Sequence, residues 1–313
     1  KAQHADLVIF AEQAVSGTPA FDLLRKTTFL ELCEDALVEI ASCCDGIAAI
    51  VGLPILTADG TISAAALIQD RKVLRYIGKK YITARREMGF LVPSKGYEYA
   101  TIKGHKCAII VGDDLSRERD FDQSVETVIS INARKYGKGT MTYRYEMMRN
   151  LAFVESKNLV LVNQVGGSTD IVYDGTSGAL NSRGELVLMM KNFEEDFQIF
   201  DTKASARPIT IPSTYNDRTR LVYEAARCGL RDFFRKNGYR KASIGLSGGI
   251  DSAVVASIAA DALGAENVRA LLMPSPFSSL ESVEDAKELA RNLGIEYNVI
   301  PISEIYTSVV NTL

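Results

Sequence analysis

Along residues 1–201, short apolar runs alternate with longer stretches of helical period. Candidate strands are LVIF at 7–10, IAAIVG at 47–52, AAALI at 64–68, VLRYI at 73–77, CAIIV at 107–111, VISIN at 128–132, LVLVN at 159–163 and LVLMM at 186–190. Several are unbroken by polar positions, as expected of strands covered on both faces. Helical spacing over 21–43 and 140–157 separates them, so the pattern predicts layered α/β structure with more than one sheet.

Residues 204–217 (ASARPITIPSTYND) interrupt this order with two prolines, small polar residues and no period, and read as a linker. Beyond it, 217–237 has helical spacing, with Val222, Ala226, Leu230 and Phe233 predicted to share the apolar face. The remainder alternates regularly: strand 242–246, helix 252–263, strand 268–273, helix 280–293, strand 296–300. Such alternation predicts a parallel sheet joined by right-handed crossovers. The division expected is one domain over 1–203, a linker over 204–216 and a second domain over 217–313.

Composition narrows the function classes. A chain of 313 residues has room for two compact domains, and 47% hydrophobic with 24% charged residues is an ordinary globular balance. A net charge of −3 with a pI near 5.7 argues against nucleic acid as a partner, and the basic stretch 206–241 reads as a solvated helix face. No apolar run approaches the ~20 residues that span a bilayer, and no secretory signal is visible, so a cytoplasmic chain without membrane contact is expected. The opening Lys1 to Asp6 lacks a methionine, and Leu313 follows just after helical spacing resumes; both suggest a piece of a longer protein. Cys33, Cys43, Cys44, Cys107 and Cys228 have neither metal-site nor disulfide spacing, and adjacent Cys43 and Cys44 read as small residues ending a helix. His4 and His105 lie far apart with no cluster around them, which makes zinc improbable.

The strongest chemical signal is Ser247-Gly248-Gly249-Ile250-Asp251-Ser252, between strand ASIGL and helix SAVVASIAADAL. Glycines let backbone N–H groups close on an anion, and the following helix aims its positive end at the same point. Ser247 and Ser252 add hydroxyls. Asp251 would repel phosphate unless a cation intervened, so Mg²⁺ is implied with Asp251 as its ligand. A helix-capping turn is the plain alternative. No Gly-Lys-Ser/Thr follows, so this is not a Walker A loop, nor is it G-x-G-x-x-G. The helix is apolar all round, which predicts a central, buried element.

The loop resembles the SGGxDS pyrophosphate loop of the N-type ATP pyrophosphatases. With VRALLMPSPFSS (268–279) and ESVEDAKELARNLGIEYNVIPI (281–302), the last 100 or so residues resemble NAD synthetases. That resemblance implies a Rossmann-like parallel-sheet ATP pyrophosphatase domain. ATP would be held by Gly245, Leu246, Ser247, Gly248, Gly249, Ile250, Asp251, Ser252 and Met273. It also implies the reaction: the carboxylate of deamido-NAD attacks ATP, forming an acyl-adenylate and releasing pyrophosphate, and ammonia then displaces AMP.

Residues 1–201 resemble the nitrilase, or carbon–nitrogen hydrolase, domain carried by bacterial glutamine-dependent NAD synthetases. The landmarks are FAEQAVSGTPAFDLL (10–24), VLRYIGKKYI (73–82), AIIVGDDLS (108–116) and LVNQVGGSTDIVYDG (161–175). The resemblance implies an α-β-β-α sandwich and a Glu-Lys-Cys triad, in which Glu is the base, Lys steadies the oxyanion and Cys attacks. Glu12 and Lys79 stand where the base and lysine belong, with Lys80 an alternative to Lys79; Gly112 stands where the cysteine belongs. Glycine cannot attack an amide. Cys107 precedes it by an odd number of strand residues and is offset by ~16 Å, so it cannot substitute. The family's Ala-Ser-Pro reads Ala133-Arg134-Lys135, a second departure in the same pocket. Glu12 and Lys79 are therefore expected as a vestigial pair.

The reading that results is an ATP-dependent ligase, an NAD synthetase using ammonia directly, with ATP, deamido-NAD and Mg²⁺ as partners and glutamine doubtful. Alternatives are a glutamine-hydrolysing synthetase with an unconventional site, another pyrophosphate-loop amidotransferase such as GMP synthetase, and a non-catalytic nucleotide-binding paralogue. The resemblance implies a homodimer or larger homo-oligomer.

Overall fold

The computed structural model describes residues 4–203, 207–215 and 217–313. The chain divides into two compact units, Lys1–Arg218 and Thr219–Leu313. The first runs β1 (Leu7–Ile9), α1 (Thr27–Ser42), β2 (Ala48–Thr57), β3 (Gly60–Gln69), β4 (Lys72–Gly78), β5 (Glu98–Ile102), β6 (His105–Val111), β7 (Thr127–Asn132), α2 (Thr140–Glu155), β8 (Asn158–Asn163), β9 (Val165–Ser168), β10 (Ile171–Asp174), β11 (Gly178–Leu180) and β12 (Leu186–Met189). A four-stranded sheet has the order β1-β2-β3-β4, and a six-stranded sheet the order β12-β11-β8-β7-β6-β5. Strands β6, β7 and β8 are parallel neighbours.

Alternation along the strands builds the layers. In β2, Ala48 and Ile50 point between the sheets, while Ala49, Val51 and Leu53 meet Leu37 and Ala41 of α1. In β6, Cys107, Ile109 and Val111 point between the sheets, while Ala108 and Ile110 meet Met147, Met148 and Leu151 of α2. Strands β2 and β6 are thus covered on both faces, which explains their unbroken apolar runs. The result is an α-β-β-α sandwich.

Several expectations are corrected here. The helical stretch 21–43 is a 3-10 turn, Phe21–Arg25, followed by α1, because Lys26 is extended (φ −96°, ψ 110°). Strands β5, β9, β10 and β11 had no counterpart in the pattern; β9 (VGGS) and β11 (GAL) are small-residue segments without alternation. Of the expected linker, residues 204–206 and 216 lie outside the described residues, as do Lys1–Gln3 at the start. Residues 207–215 lie on the first unit, where the Ile209 N–H donates to Leu186 O (2.8 Å) and Tyr215 Oη–H to Met190 O (3.2 Å).

After the first residue of α3 (Arg218–Asn237), the second unit comprises the rest of that helix, β13 (Ala242–Gly245), α4 (Ile250–Leu263), β14 (Val268–Leu272), α5 (Leu280–Leu293), β15 (Glu296–Val299) and α6 (Ser303–Thr312). Its three strands are parallel in the order β13-β14-β15. The buried face of α3 is Leu221, Ala225, Cys228 and Asp232, one position before the predicted stripe; Val222 (59%) and Phe233 (48%) are exposed. Of the predicted stripe, Leu230 is partly buried against the core. Nor is α4 buried all round. Ala256 and Ala259 are buried in the core, with Ala260 and Leu263 partly buried against it, and Ile250, Val254 and Val255 are exposed. Among the described residues, no helix is long and apolar enough to cross a membrane.

Candidate functional site

In the first unit, three separated segments converge. Glu12 follows β1 and is 2% exposed; its Oε1 accepts from Ser63 Oγ (2.9 Å) and Lys79 Nζ (3.1 Å), and its Oε2 from the Ala133 N–H (3.1 Å). Lys79 follows β4, is 3% exposed, and also donates to Glu87 Oε2 at 2.8 Å. Burial works against its ammonium charge, but Glu12, Glu87 and Asp113 more than offset this and hold its pKa above the ordinary lysine value. Burial, and then the charge of Glu12, push the Glu87 carboxyl upward. Lys80 is half exposed and pairs with Glu118 at 3.2 Å instead.

Gly112 completes the triangle. It follows β6 in the left-handed region (φ +63°), and a Cβ placed on it would lie 2.7 Å from Lys79 Cε, 2.8 Å from Lys79 Nζ and 2.9 Å from Glu12 Oε2. The structure therefore brings together Glu12, Lys79 and Gly112, with the lysine end against the glycine and no thiol among them. Cys107 sits within β6 between the two sheets, where burial pushes its thiol up to about 11.

The residues after Gly112 lock the pocket. Asp114 accepts the N–H groups of Lys80 (2.7 Å) and Tyr81 (2.8 Å), fastening the segment that carries Lys79, and burial raises its carboxyl to about 6. Asp113 pairs with Arg134 (2.9 Å) and accepts from the Thr83 hydroxyl. Lys135 forms a backbone bridge with Tyr173. An ionised, hydrogen-bonded pair of this kind can stay charged in a buried place. The residue pattern left Ser63, Glu87 and Asp113 unnoticed, because Glu87 lies in an irregular stretch and acquires its role only by contact with Lys79.

In the second unit, β13 leads into the serine-glycine loop and α4 leaves it. Ser252 Oγ accepts the Ser247 N–H (3.2 Å) and donates to Gly249 O (2.8 Å), while Ser247 Oγ accepts the Gly249 N–H (3.3 Å). The loop is thus pre-shaped by its own hydroxyls. Leu246 turns into the core and gives its N–H to Leu271 O (3.0 Å), so it anchors the strand. Gly245 lies beside Met273, whose Cε would be 3.6 Å from a Cβ there. Ile250 is 76% exposed at the first turn of α4. Gly248 (φ +83°) rests on the first turn of α5, where a Cβ would meet Ser282 O at 2.1 Å. No side chain can occupy that gap.

Asp251 is exposed in the first turn of α4 and shows no side-chain partner among the described residues, which hold no group of three or more His, Cys, Asp or Glu able to bind a metal. A single free carboxylate beside a phosphate loop fits Mg²⁺, which is commonly held by one or two carboxylates plus substrate phosphates and water. The loop as a whole offers N–H groups, hydroxyls and a positive helix end to a polyphosphate.

Residues 222–313 match the family model for NAD synthase. The glutamine-dependent NAD(+) synthetase of Acinetobacter baylyi is 32% identical over 323 residues, covering 100% of this chain and 60% of that protein. A glutamine-dependent NAD+ synthetase structure from Acinetobacter baumannii, in complex with ADP, superposes with a TM-score of 0.88 at 32% identity, over 100% of this chain and 61% of that one. An amidase of the nitrilase superfamily from Nesterenkonia shares the fold over 61% of this chain and 75% of its own, with a TM-score of 0.53 at 18% identity. The chain spans about three fifths of the length of the synthetases that it matches.

Proposed function

Because the chain belongs to the glutamine-dependent NAD synthetase family over the part that it spans, we propose that it carries out ATP-dependent amidation of deamido-NAD with ammonia as the nitrogen donor. The observation that carries the nitrogen assignment is Gly112 in contact range of Lys79 and Glu12. The acid and the amine are present and the attacking atom is missing.

For the ligase step, the N–H groups of Gly248, Gly249 and Ile250 and the hydroxyls of Ser247 and Ser252 are the donors for the β and γ phosphates. They stand ready before reaction, so little reorganisation accompanies charge development. Asp251 would hold Mg²⁺, which when bound supplies positive charge against the phosphates. The deamido-NAD carboxylate attacks the α phosphate, pyrophosphate leaves, and ammonia displaces AMP from the acyl-adenylate. Leu246 and Gly245 hold the strand end that aims the loop. The apolar residues left exposed on α3 and α4, Val222, Phe233, Ile250 and Val254, support a homodimer or larger homo-oligomer.

The test supplies ATP, Mg²⁺ and deamido-NAD with either ammonium or glutamine. NAD formation with ammonium alone is expected; equal turnover with glutamine would overturn the nitrogen assignment. Asp251→Ala is expected to abolish Mg²⁺-dependent ATP binding. Undiminished binding would overturn the loop assignment.

A further inference from the structure

We propose that Ser279, the N-cap of α5, is a positioning residue for the phosphate loop, acting through the contact between Ser282 and Gly248. The inference rests on the reading of that loop as an ATP site. Gly248 lies so close to α5 that an added Cβ would meet three backbone atoms of Ser282, at 2.1 Å (O), 2.8 Å (C) and 2.8 Å (Cα). The first turn of α5 is therefore one wall of the loop, and the position of that turn sets where the Gly248 N–H points.

The start of this turn is held by capping, while Val283 at its end rests partly buried against the core. Ser279 and Leu280 are exposed, and the buried residues of α5, Ala286 and Ala290, come one to two turns later. Ser279 Oγ accepts the Ser282 N–H at 3.1 Å and shares a hydrogen with Ser282 Oγ at 2.9 Å. The first main-chain bond of the helix, from the Val283 N–H to Ser279 O, is long at 3.4 Å. Upstream, Ser275 and Ser278 tie the preceding turn, with the Ser275 N–H donating to Ser278 Oγ at 3.0 Å and the Phe277 N–H to Ser275 Oγ at 3.2 Å. An N-cap contributes most to a helix end whose first residues, like Ser279 and Leu280 here, are exposed. Once the cap is removed, the turn frays, Ser282 no longer backs Gly248, and the fraction of molecules with a binding-competent loop falls.

The experiment is titration calorimetry of Mg-ATP into the full chain, as wild type, Ser279→Ala, Ser279→Thr and Ser279→Asn, with a thermal melt of each. Ser279→Ala is expected to weaken Mg-ATP by about 5-fold, while Thr and Asn, which both cap helices, stay within about 2-fold of wild type. A lowered melting point in Ser279→Ala with unchanged ATP affinity would assign the cap to stability alone and overturn the proposal. So would an Asn variant as weak as Ala, since that would make the hydroxyl itself the nucleotide contact. If wild type leaves Mg-ATP unbound, the ATP reading of the loop fails first and the positioning role falls with it.

Discussion

Lys79 Nζ lies 2.8 Å from the point where a side-chain carbon on Gly112 would begin, and Glu12 Oε2 lies 2.9 Å from it. The lysine end and the glutamate thus take up the space that a side chain on Gly112 would need.

Gly112→Cys is expected to gain no glutamine hydrolysis above background. The left-handed backbone alone costs an L-residue about 1–2 kcal/mol, and the new side chain must push Lys79 away from Glu12 and Glu87. Ammonia release from glutamine, followed beside a thermal melt, checks both points; robust release would show that the pocket still works once supplied with a thiol.

Lys79→Met is expected to destabilise the chain by about 3–5 kcal/mol, since it leaves the carboxylates of Glu12 and Glu87 buried without their cation. Lys80→Met removes a half-exposed ion pair with Glu118 and is expected to leave the unfolding midpoint nearly unchanged. Urea unfolding of the two neighbours compares a buried with a superficial lysine directly.

Asp114 makes stability fall as pH rises through a window of about 4 to 6. Its carboxyl is raised from the ordinary 3.8 to about 6 in the folded chain, so the native state binds more protons than the unfolded state within that window. Its contribution is full below about 4 and is lost above about 6, with a magnitude on the order of 2–3 kcal/mol. In Asp114→Asn the pH slope of stability over this window should flatten; an unchanged slope in urea titrations would remove Asp114 as its source.

Gly248→Ala is expected to weaken ATP binding by at least about tenfold and to lower the melting point. Its methyl would fall 2.1 Å from a backbone oxygen that cannot rotate away, and its φ of +83° is strained for any L-residue. Gly249→Ala has room, with only Ser247 Oγ at 3.4 Å, and should disturb the loop less. Calorimetry on the pair checks the order.

What the residues determined by themselves was whatever depends on local order. Period and apolar runs located α2, α5 and most of the strands, and α5 formed over the predicted 280–293, because its cap, stripe and closing glycine all lie within one stretch of chain. The serine-glycine loop between strand and helix was legible for the same reason. Only the tertiary structure decided that α3 turns Leu221, Ala225, Cys228 and Asp232 inward and keeps from the predicted stripe only Leu230 in contact with the core. It also decided that α4 stays half exposed, and that β9 and β11 form from small residues that take their pairing from neighbours. The pocket at Gly112 belongs to this second class. Glu12 and Lys79 could be placed by their surroundings in sequence, but Ser63, Glu87 and Asp113 enter only because folding brings distant chain segments together, and charges buried side by side must find partners wherever the chain provides them.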